Sequence, residues 1–432
     1  MVMKKLPLFS DYSFQLPSFD VENLSMSNGI KLNCFPDRDS EVVRLEFMFS
    51  DAGSNNQKKF FSASAAANML TEGSGDLTGV QMADKLDYYA AYVEKTVDRE
   101  SCSIVFYFLT KYSFDLLPLI EMIIKQPRYS EEEFEIYRNK QKQSFLLNNQ
   151  KTNMIAYKKF YNSIFPASNP FGKFGKLEDY DCLTRDDVRN FYDEFYSFED
   201  CEISVAGNYS DDFVVKLVDG FGSEKWGKGK DRTTKSYHDT NYPMAQTIFE
   251  HKENAVQASI RLGNLTINHM DEDYHSFKVL VALFGGYFGS RLMTNIREEK
   301  GYTYSIGSYI TSYRDCSVLS TTADVKAEKA MSAIDEIGLE IKKLHNDLVS
   351  EQELIVLKNY LLGDCLRGLD GVFDVAEKFS FIRKYNLPLS YFNDIQNTIL
   401  EIKPEDLRNL AQKYLDFEKM TKVIVCDRTL LE

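Results

Sequence analysis

Apolar and polar residues alternate in EVVRLEFMFS (41–50) and RESCSIVFYFL (99–109), the period of strands with one buried face. A different spacing governs SEEEFEIYRNKQKQSFLLNN (130–149). There a serine is followed three residues on by a glutamate and then by apolar positions at helical intervals, which predicts a helix with a serine N-cap. DDVRNFYDEFY (186–196) predicts a further helix, and CEISVAG (201–207) the strand after it. Strands and helices come in blocks rather than in strict βαβ alternation. The expected class is therefore α+β, with largely antiparallel sheets packed by helices, rather than a doubly wound fold.

The same pattern occurs twice. TRDDVRNFYDEFYSFEDCEISVAGN (184–208) aligns without a gap on KPEDLRNLAQKYLDFEKMTKVIVCD (403–427), an offset of 219 residues. YSEEEFEIYRNK (129–140) aligns on VSEQELIVLKNY (349–360) at an offset of 220. Two nearly equal offsets, each about half the chain, predict two tandem copies of one domain. The stretch between them, SEKWGKGKDRTTKSYHDTNYP, is polar and rich in Gly, Lys and Thr, as a linker is. The expected organisation is a domain over 1–222, a linker over 223–243 and a second domain over 244–432.

With 432 residues the chain is long enough for two such domains, and its 44% apolar content supplies sizeable cores. The net charge of −14 argues against a general nucleic-acid-binding surface, so no nucleic-acid partner is expected. LLPLIEMII (116–124), among the longest apolar stretches, is interrupted and too short to span a bilayer, so no membrane association is expected. MVMKKLPLFSDYSFQLP has no apolar run behind its lysines, which disfavours a secretory signal. Seven cysteines are scattered singly without a CxxC, as in a reducing compartment, and the expected location is cytoplasmic. All five histidines (His238, His251, His269, His275, His345) fall in the second half. Whatever the first half does, it does so without imidazole.

GGYFGSRLMTNIREEKGYTYS (285–305) carries the most specific pattern: a glycine-rich segment, a short helical run with Arg297, a glycine turn and a strand with Tyr304. It resembles the second-domain motif of the M16 zinc peptidase family (pitrilysin, insulinase, mitochondrial processing peptidase). MDEDYHSFKVLVALFGG before it, and FPASNPFGKFGKLEDYDCLTRDDVRNFYDEFY in the first half, resemble further family segments in the same order. The resemblance covers about residues 25–430. It implies two tandem homologous domains forming half of a clamshell.

Active members of that family carry H-x-x-E-H on a first-domain helix, with a distal glutamate ligand. Two imidazoles and a carboxylate hold Zn²⁺, and the motif glutamate is the general base. The corresponding stretch here is FFSASAAANMLTEGSGD (60–76). The resemblance sets Ser64 and Asn68 on the histidine positions and Ala67 on the base, while the distal region, QKQSFLLNNQ (141–150), contains no carboxylate. No zinc site and no bound cofactor are expected in this chain. Zinc is expected in a partner subunit of similar size that carries H-x-x-E-H, as a heterodimer.

By the same resemblance, Tyr304 donates to the scissile carbonyl oxygen as it becomes an oxyanion and Arg297 holds substrate carbonyls, here lent to the partner's site. The plainer reading makes Arg297 a cation facing a helix C-terminus and Tyr304 a packed strand residue. Gly285, Gly286 and Gly289 resemble a loop that admits extended substrate in non-catalytic subunits; the plainer reading is a tight turn. His269 and His275, six apart among acidic residues, read as part of a solvated turn rather than a metal site. Tyr88, Tyr89 and Tyr92 replace smaller family residues beside a first-domain strand that pairs with substrate backbone in the family, and packing is their expected role. The chain is thus expected to be a peptide-binding, non-catalytic subunit of a zinc metallopeptidase. The alternative is an inactive scaffold or peptide-binding protein of the same fold.

Overall fold

The computed structural model describes residues 21–228 and 243–431, and the central part of the expected linker lies outside them. In the first half the strands are β1 (Glu22–Ser25), β2 (Lys31–Pro36), β3 (Val42–Phe49), the short ribbon β4 (Gly73–Ser74) and β5 (Leu77–Thr78), then β6 (Tyr92–Val97), β7 (Cys102–Leu109) and β8 (Cys201–Gly207). Its helices are α1 (Ser62–Asn68), α2 (Gly79–Tyr88), α3 (Ser113–Lys125), α4 (Glu131–Asn149), α5 (Thr152–Ile164), α6 (Asp179–Cys182), α7 (Arg185–Phe195) and α8 (Asp211–Gly222). The second half contributes β9 (Thr247–His251), β10 (Gln257–Thr266), β11 (Thr303–Ser312), β12 (Ser317–Lys326) and β13 (Thr421–Cys426). Its helices are α9 (Tyr274–Val281), α10 (Ala330–Asn346), α11 (Glu351–Arg367), α12 (Val372–Tyr385), α13 (Tyr391–Glu401) and α14 (Pro404–Tyr414).

The first sheet runs β1-β2-β8-β3-β7-β6 and the second β11-β12-β10-β13-β9. Reversing the second gives β9-β13-β10-β12-β11, which repeats β2-β8-β3-β7-β6 strand for strand. Even the one parallel pair recurs, β2 with β8 and β9 with β13. The repeat seen in sequence is therefore a repeat of topology, antiparallel apart from that pair. The expected N-cap holds too: Ser130 accepts from the Glu133 N–H, and Ser350 does the same for Glu353 in the second copy.

The strands depart from expectation in having two buried faces. On β3, Val43, Leu45, Phe47 and Phe49 enter the first core, while Arg44, Glu46 and Met48 on the other face are also buried. The cover is α12, from the other half. Phe379 of α12 meets Phe35 edge to face at 5.4 Å, in a small cluster with Ala206 and Ala376. Beneath α12 the Arg44–Glu46 pair (2.9 Å) is satisfied by the Ser380 hydroxyl, which donates to Glu46 at 2.7 Å.

The exchange is reciprocal. Helix α5, the first-half counterpart of α12, packs Ala156, Phe160 and Ile164 on Val423 and Val425 of the second sheet. Each half therefore covers the outer sheet face of the other, which a strand period read locally does not reveal. Charged pairs rim the junction: Arg383 grips Glu202 with two bonds (2.7 and 3.2 Å), Lys384 reaches Asp98, and the Arg314 backbone N–H donates to Glu100 at 3.0 Å. Among the described residues no helix is long and apolar enough to cross a membrane.

Candidate functional site

Two walls hold the residues singled out by sequence. The first is α1. Its SASAAAN sequence is small enough to lie flat in the first core, and Ala67 is fully buried. The helix starts after Phe61, a non-glycine residue at φ 71°, whose ring stacks on Tyr180 at 3.9 Å. Ser64 and Asn68 lie one turn apart. The Asn68 amide donates to the Tyr137 hydroxyl of α4 at 3.3 Å, while the Ser64 hydroxyl donates to the Phe61 carbonyl at 3.0 Å. Burial raises the Tyr137 pKa, so the phenol is neutral. Lys95 on β6 closes the wall, donating to the Asn68 carbonyl at 3.0 Å and the Thr71 hydroxyl at 2.7 Å.

The M16 resemblance implies a zinc ion here, and the donor set does not fit one. A neutral phenol, an amide, a hydroxyl and an ammonium group stand where two imidazoles and a carboxylate would be needed. Among the described residues no three His, Cys, Asp or Glu side chains converge as a metal-binding group. No chemical step is therefore routed through a metal on this chain.

The second wall begins where α9 runs on into a π-helical turn, Ala282–Gly286. Gly285 and Gly286 therefore end a helix instead of forming a loop, and neither has the left-handed backbone that would demand glycine. Gly285 is needed for closeness: a Cβ there would lie 2.7 Å from both the backbone N and the Cβ of Ser308 on β11. Only Gly289 falls in the turn that follows, with its Cα face against the Tyr287 ring.

A second π-helical segment, Met293–Glu299, carries Arg297 in its last turn. It is anchored by Arg291, which grips Glu353 of α11 with bonds of 2.8 and 2.9 Å, and by the Asn295 amide donating to Glu340 at 2.7 Å. Gly301 at φ +65° turns the chain, letting the Tyr302 N–H reach the Ile296 carbonyl at 3.0 Å. β11 then starts with a register shift between Thr303 and Ile306, so Tyr304 and Ser305 have no partner opposite them on β12. The Thr303 hydroxyl ties this bulge down, donating to Asp324 O at 2.7 Å and accepting from the Ser305 N–H at 3.1 Å.

Tyr304 is 92% exposed on this bulge, at the free edge of the sheet. It does not pack on its neighbours, so the plainer reading fails for it. Arg297 matches its plainer reading. It is a cation at a helix end, and its guanidinium also lies 4.5 Å from the centre of the Phe288 ring, itself 63% exposed. Phe288, Thr303, Tyr137 and Lys95 are contributors that sequence reasoning missed. Phe288 stood inside the quoted motif, but nothing local signals its pairing with an arginine nine residues on.

Two further expectations change. His269 is buried rather than solvated, ringed by Tyr274, Phe381 and Tyr385, whose centroid is 4.5 Å away. Burial depresses both His269 and His275 to about 4, so both rings are neutral at pH 7. Tyr88 and Tyr92 are 77% and 64% exposed instead of packed, and β6 remains a free edge strand.

Residues 183–361 match the family model for the Peptidase M16 inactive domain. An uncharacterized zinc protease of Rickettsia felis is 25% identical, over 91% of this chain and 95% of the relative. The non-peptidase homolog YmxG of Helicobacter pylori is 21% identical over 89% of each. A solved M16 inactive-domain structure from Pseudomonas fluorescens superposes with a TM-score of 0.82 at 19% identity, covering 94% of this chain and 98% of the other. Over residues 183–361 the chain is thus similar to the inactive domain of M16 peptidases, and over most of its length to proteins named as an uncharacterized zinc protease and a non-peptidase homolog.

Proposed function

We propose that this inactive M16 homologue is the non-catalytic subunit of a two-chain zinc metallopeptidase. It binds the peptide substrate and presents Tyr304 and Arg297 to a zinc site carried by a partner chain with H-x-x-E-H. The observation that carries this reading is Tyr304: a phenol held by a pinned bulge on an edge strand, 92% exposed, whose hydroxyl has no partner among the described residues. Such a donor is preorganised for a carbonyl oxygen that gains negative charge, and water exclusion by the partner would strengthen that bond. Arg297, steered by Phe288, adds a fixed positive charge seven residues before it.

The test is the complex of this chain with its H-x-x-E-H partner. Tyr304→Phe should lower kcat by about one to three orders of magnitude while leaving subunit association intact. Unchanged turnover in the assembled Tyr304→Phe complex would end this reading. A second reading, supported by the name of the Helicobacter relative as a non-peptidase homolog, is a scaffold that holds peptide or protein without cleavage. It is favoured if the chain, isolated with its companion from native cells, shows no chelator-sensitive peptide hydrolysis.

A further inference from the structure

A cavity of about 410 Å³ opens between α9, α11, α12 and α13, away from both walls described above. Its floor is apolar, with Val279, Leu361, Ile395 and Ile399 among its lining. Its charged groups are unbalanced. Arg367 pairs with Asp364 in the lining, and among the described residues Lys278 of α9 and Lys378 of α12 have no carboxylate in salt-bridge contact. Lys378 lies against Gly368 at the α11 end, where a Cβ would come within 3.4 Å of its Cε. Lys278 keeps solvent access while protein surrounds it, as in a cleft, and has only a distant contact with the Tyr274 ring at 5.8 Å. Desolvation is the main cause that lowers its pKa, with the charge of Lys378 acting the same way and Cys365 and Asp364 opposing it. His275 lines the same cavity, and its Nδ1 is buried without a partner.

In a chain of net charge −14, two neighbouring lysines without a counter-ion over an apolar floor lack only an anion. We propose that this cavity binds a small amphipathic carboxylate, its head group between Lys278 and Lys378 and its apolar body against Val279, Leu361, Ile395 and Ile399. The volume falls within the range of small-ligand pockets, and convergent polar groups over an apolar lining are their usual make-up. The single negative charge of the carboxylate would sit between two cations that otherwise repel each other, and the floor would gain the hydrophobic burial. The site is independent of the peptidase reading: of its lining only Ala282, at the start of the π-helical turn, also belongs to a wall, and it is not among the residues that hold the ligand.

Octanoate, octanol and inorganic phosphate separate the contributions on the full chain. Octanoate should bind in titration calorimetry and raise the unfolding midpoint, as any ligand selective for the native state does. Octanol, with the same body and no charge, should bind at least about ten-fold more weakly, and phosphate alone should not bind measurably. Lys278→Met and Lys378→Met should each weaken octanoate about ten-fold or more. Should either variant fold poorly, hydrogen exchange on the unmodified chain replaces it, with octanoate-dependent protection expected in α9 and α11–α13. Absence of octanoate binding, equal affinity for octanol, full affinity in both Met variants, or protection elsewhere only would each overturn the proposal.

Discussion

The two walls hold side chains in opposite conditions. On α1 the positions of the family's metal motif are absorbed into the fold: Ala67 is fully buried, Asn68 donates to Tyr137, and Ser64 donates to the Phe61 carbonyl. On β11 a tyrosine stands almost wholly in solvent, and seven residues before it an arginine lies over an exposed phenylalanine. The first arrangement is explained by packing and hydrogen bonding. The second is not, because an exposed phenol without a partner contributes almost nothing to folding. Exposed aromatic residues beside arginine are what contact surfaces are enriched in. The lesson is that a lost site becomes core, whereas a side chain held outside the core at a pinned bulge needs a reason from outside the chain.

The sharpest attempt to break that contrast is to put the missing base back. Ala67→Glu adds volume and a carboxylate where no solvent reaches, and should cost about 3–5 kcal/mol in denaturant unfolding. Tyr304→Ala, a far larger deletion, should stay within about 0.5 kcal/mol of the parent. A well-tolerated Ala67→Glu would show that the first wall is open after all. Adding Ser64→His and Asn68→His should still give no stoichiometric zinc, measured by metal analysis after dialysis, because Lys95 and Tyr137 remain in place.

Acid comes next. His269 and His275 have folded pKa values of about 4 against 6.5 for the free side chain. As pH falls below 6.5 the unfolded chain takes up protons that the folded chain refuses. Stability is thus fully present above pH 6.5 and falls toward pH 4, at up to about 1.4 kcal/mol per pH unit for each histidine. All five histidines are in the second half, so acid loads one side of the comparison. His269 nevertheless touches Tyr385 of α12, the helix that covers the first sheet. The halves should therefore unfold together, and a plateau in the pH 5 unfolding curve would count against the helix exchange as their coupling.

A smaller effect is expected at Gly285. The Cβ of Gly285→Ala would sit 2.7 Å from the Ser308 backbone, so β11 or the π-helical turn must shift, at about 1–3 kcal/mol. Gly286→Ala has its nearest contacts at 3.3 Å (Ala282 Cβ) and 3.4 Å (Val281 O) and should cost less. Equal costs would mean that the close approach to β11 does not hold the second wall in place.

What could be read from the sequence was local or repeated. Serine caps, alternating strands and the 219–220 offset are statements about near neighbours or about similarity, and they transferred directly to the fold. The missing carboxylate and imidazoles were legible because absence of a residue type needs no geometry. Contacts across long separations were not. The α5–α12 exchange joins residues of one half to a sheet of the other, and periodicity within α12 is the same whichever sheet it covers. NHMDEDYH reads as a solvated turn because its acidic residues are exposed, while the aromatic cage that buries His269 comes partly from α12. The glycines of GGYFG suggested a loop because the π-helical turn that absorbs two of them depends on β11 lying alongside.

The smallest change tests the contrast most cleanly, since the same atom can be removed from both walls. Tyr137→Phe deletes a hydroxyl that accepts from the Asn68 amide, and should cost about 1 kcal/mol, the net value of a part-buried hydrogen bond. It should leave turnover of the assembled complex unchanged, because the neutral wall takes no part in chemistry. Tyr304→Phe deletes a hydroxyl with no partner among the described residues, and should leave stability unchanged while turnover falls. Measuring unfolding and kcat on both variants gives four numbers, of which two should move. If Tyr137→Phe reduces turnover without reducing stability, the first wall has kept a role, and the assignment of all lent chemistry to β11 is wrong.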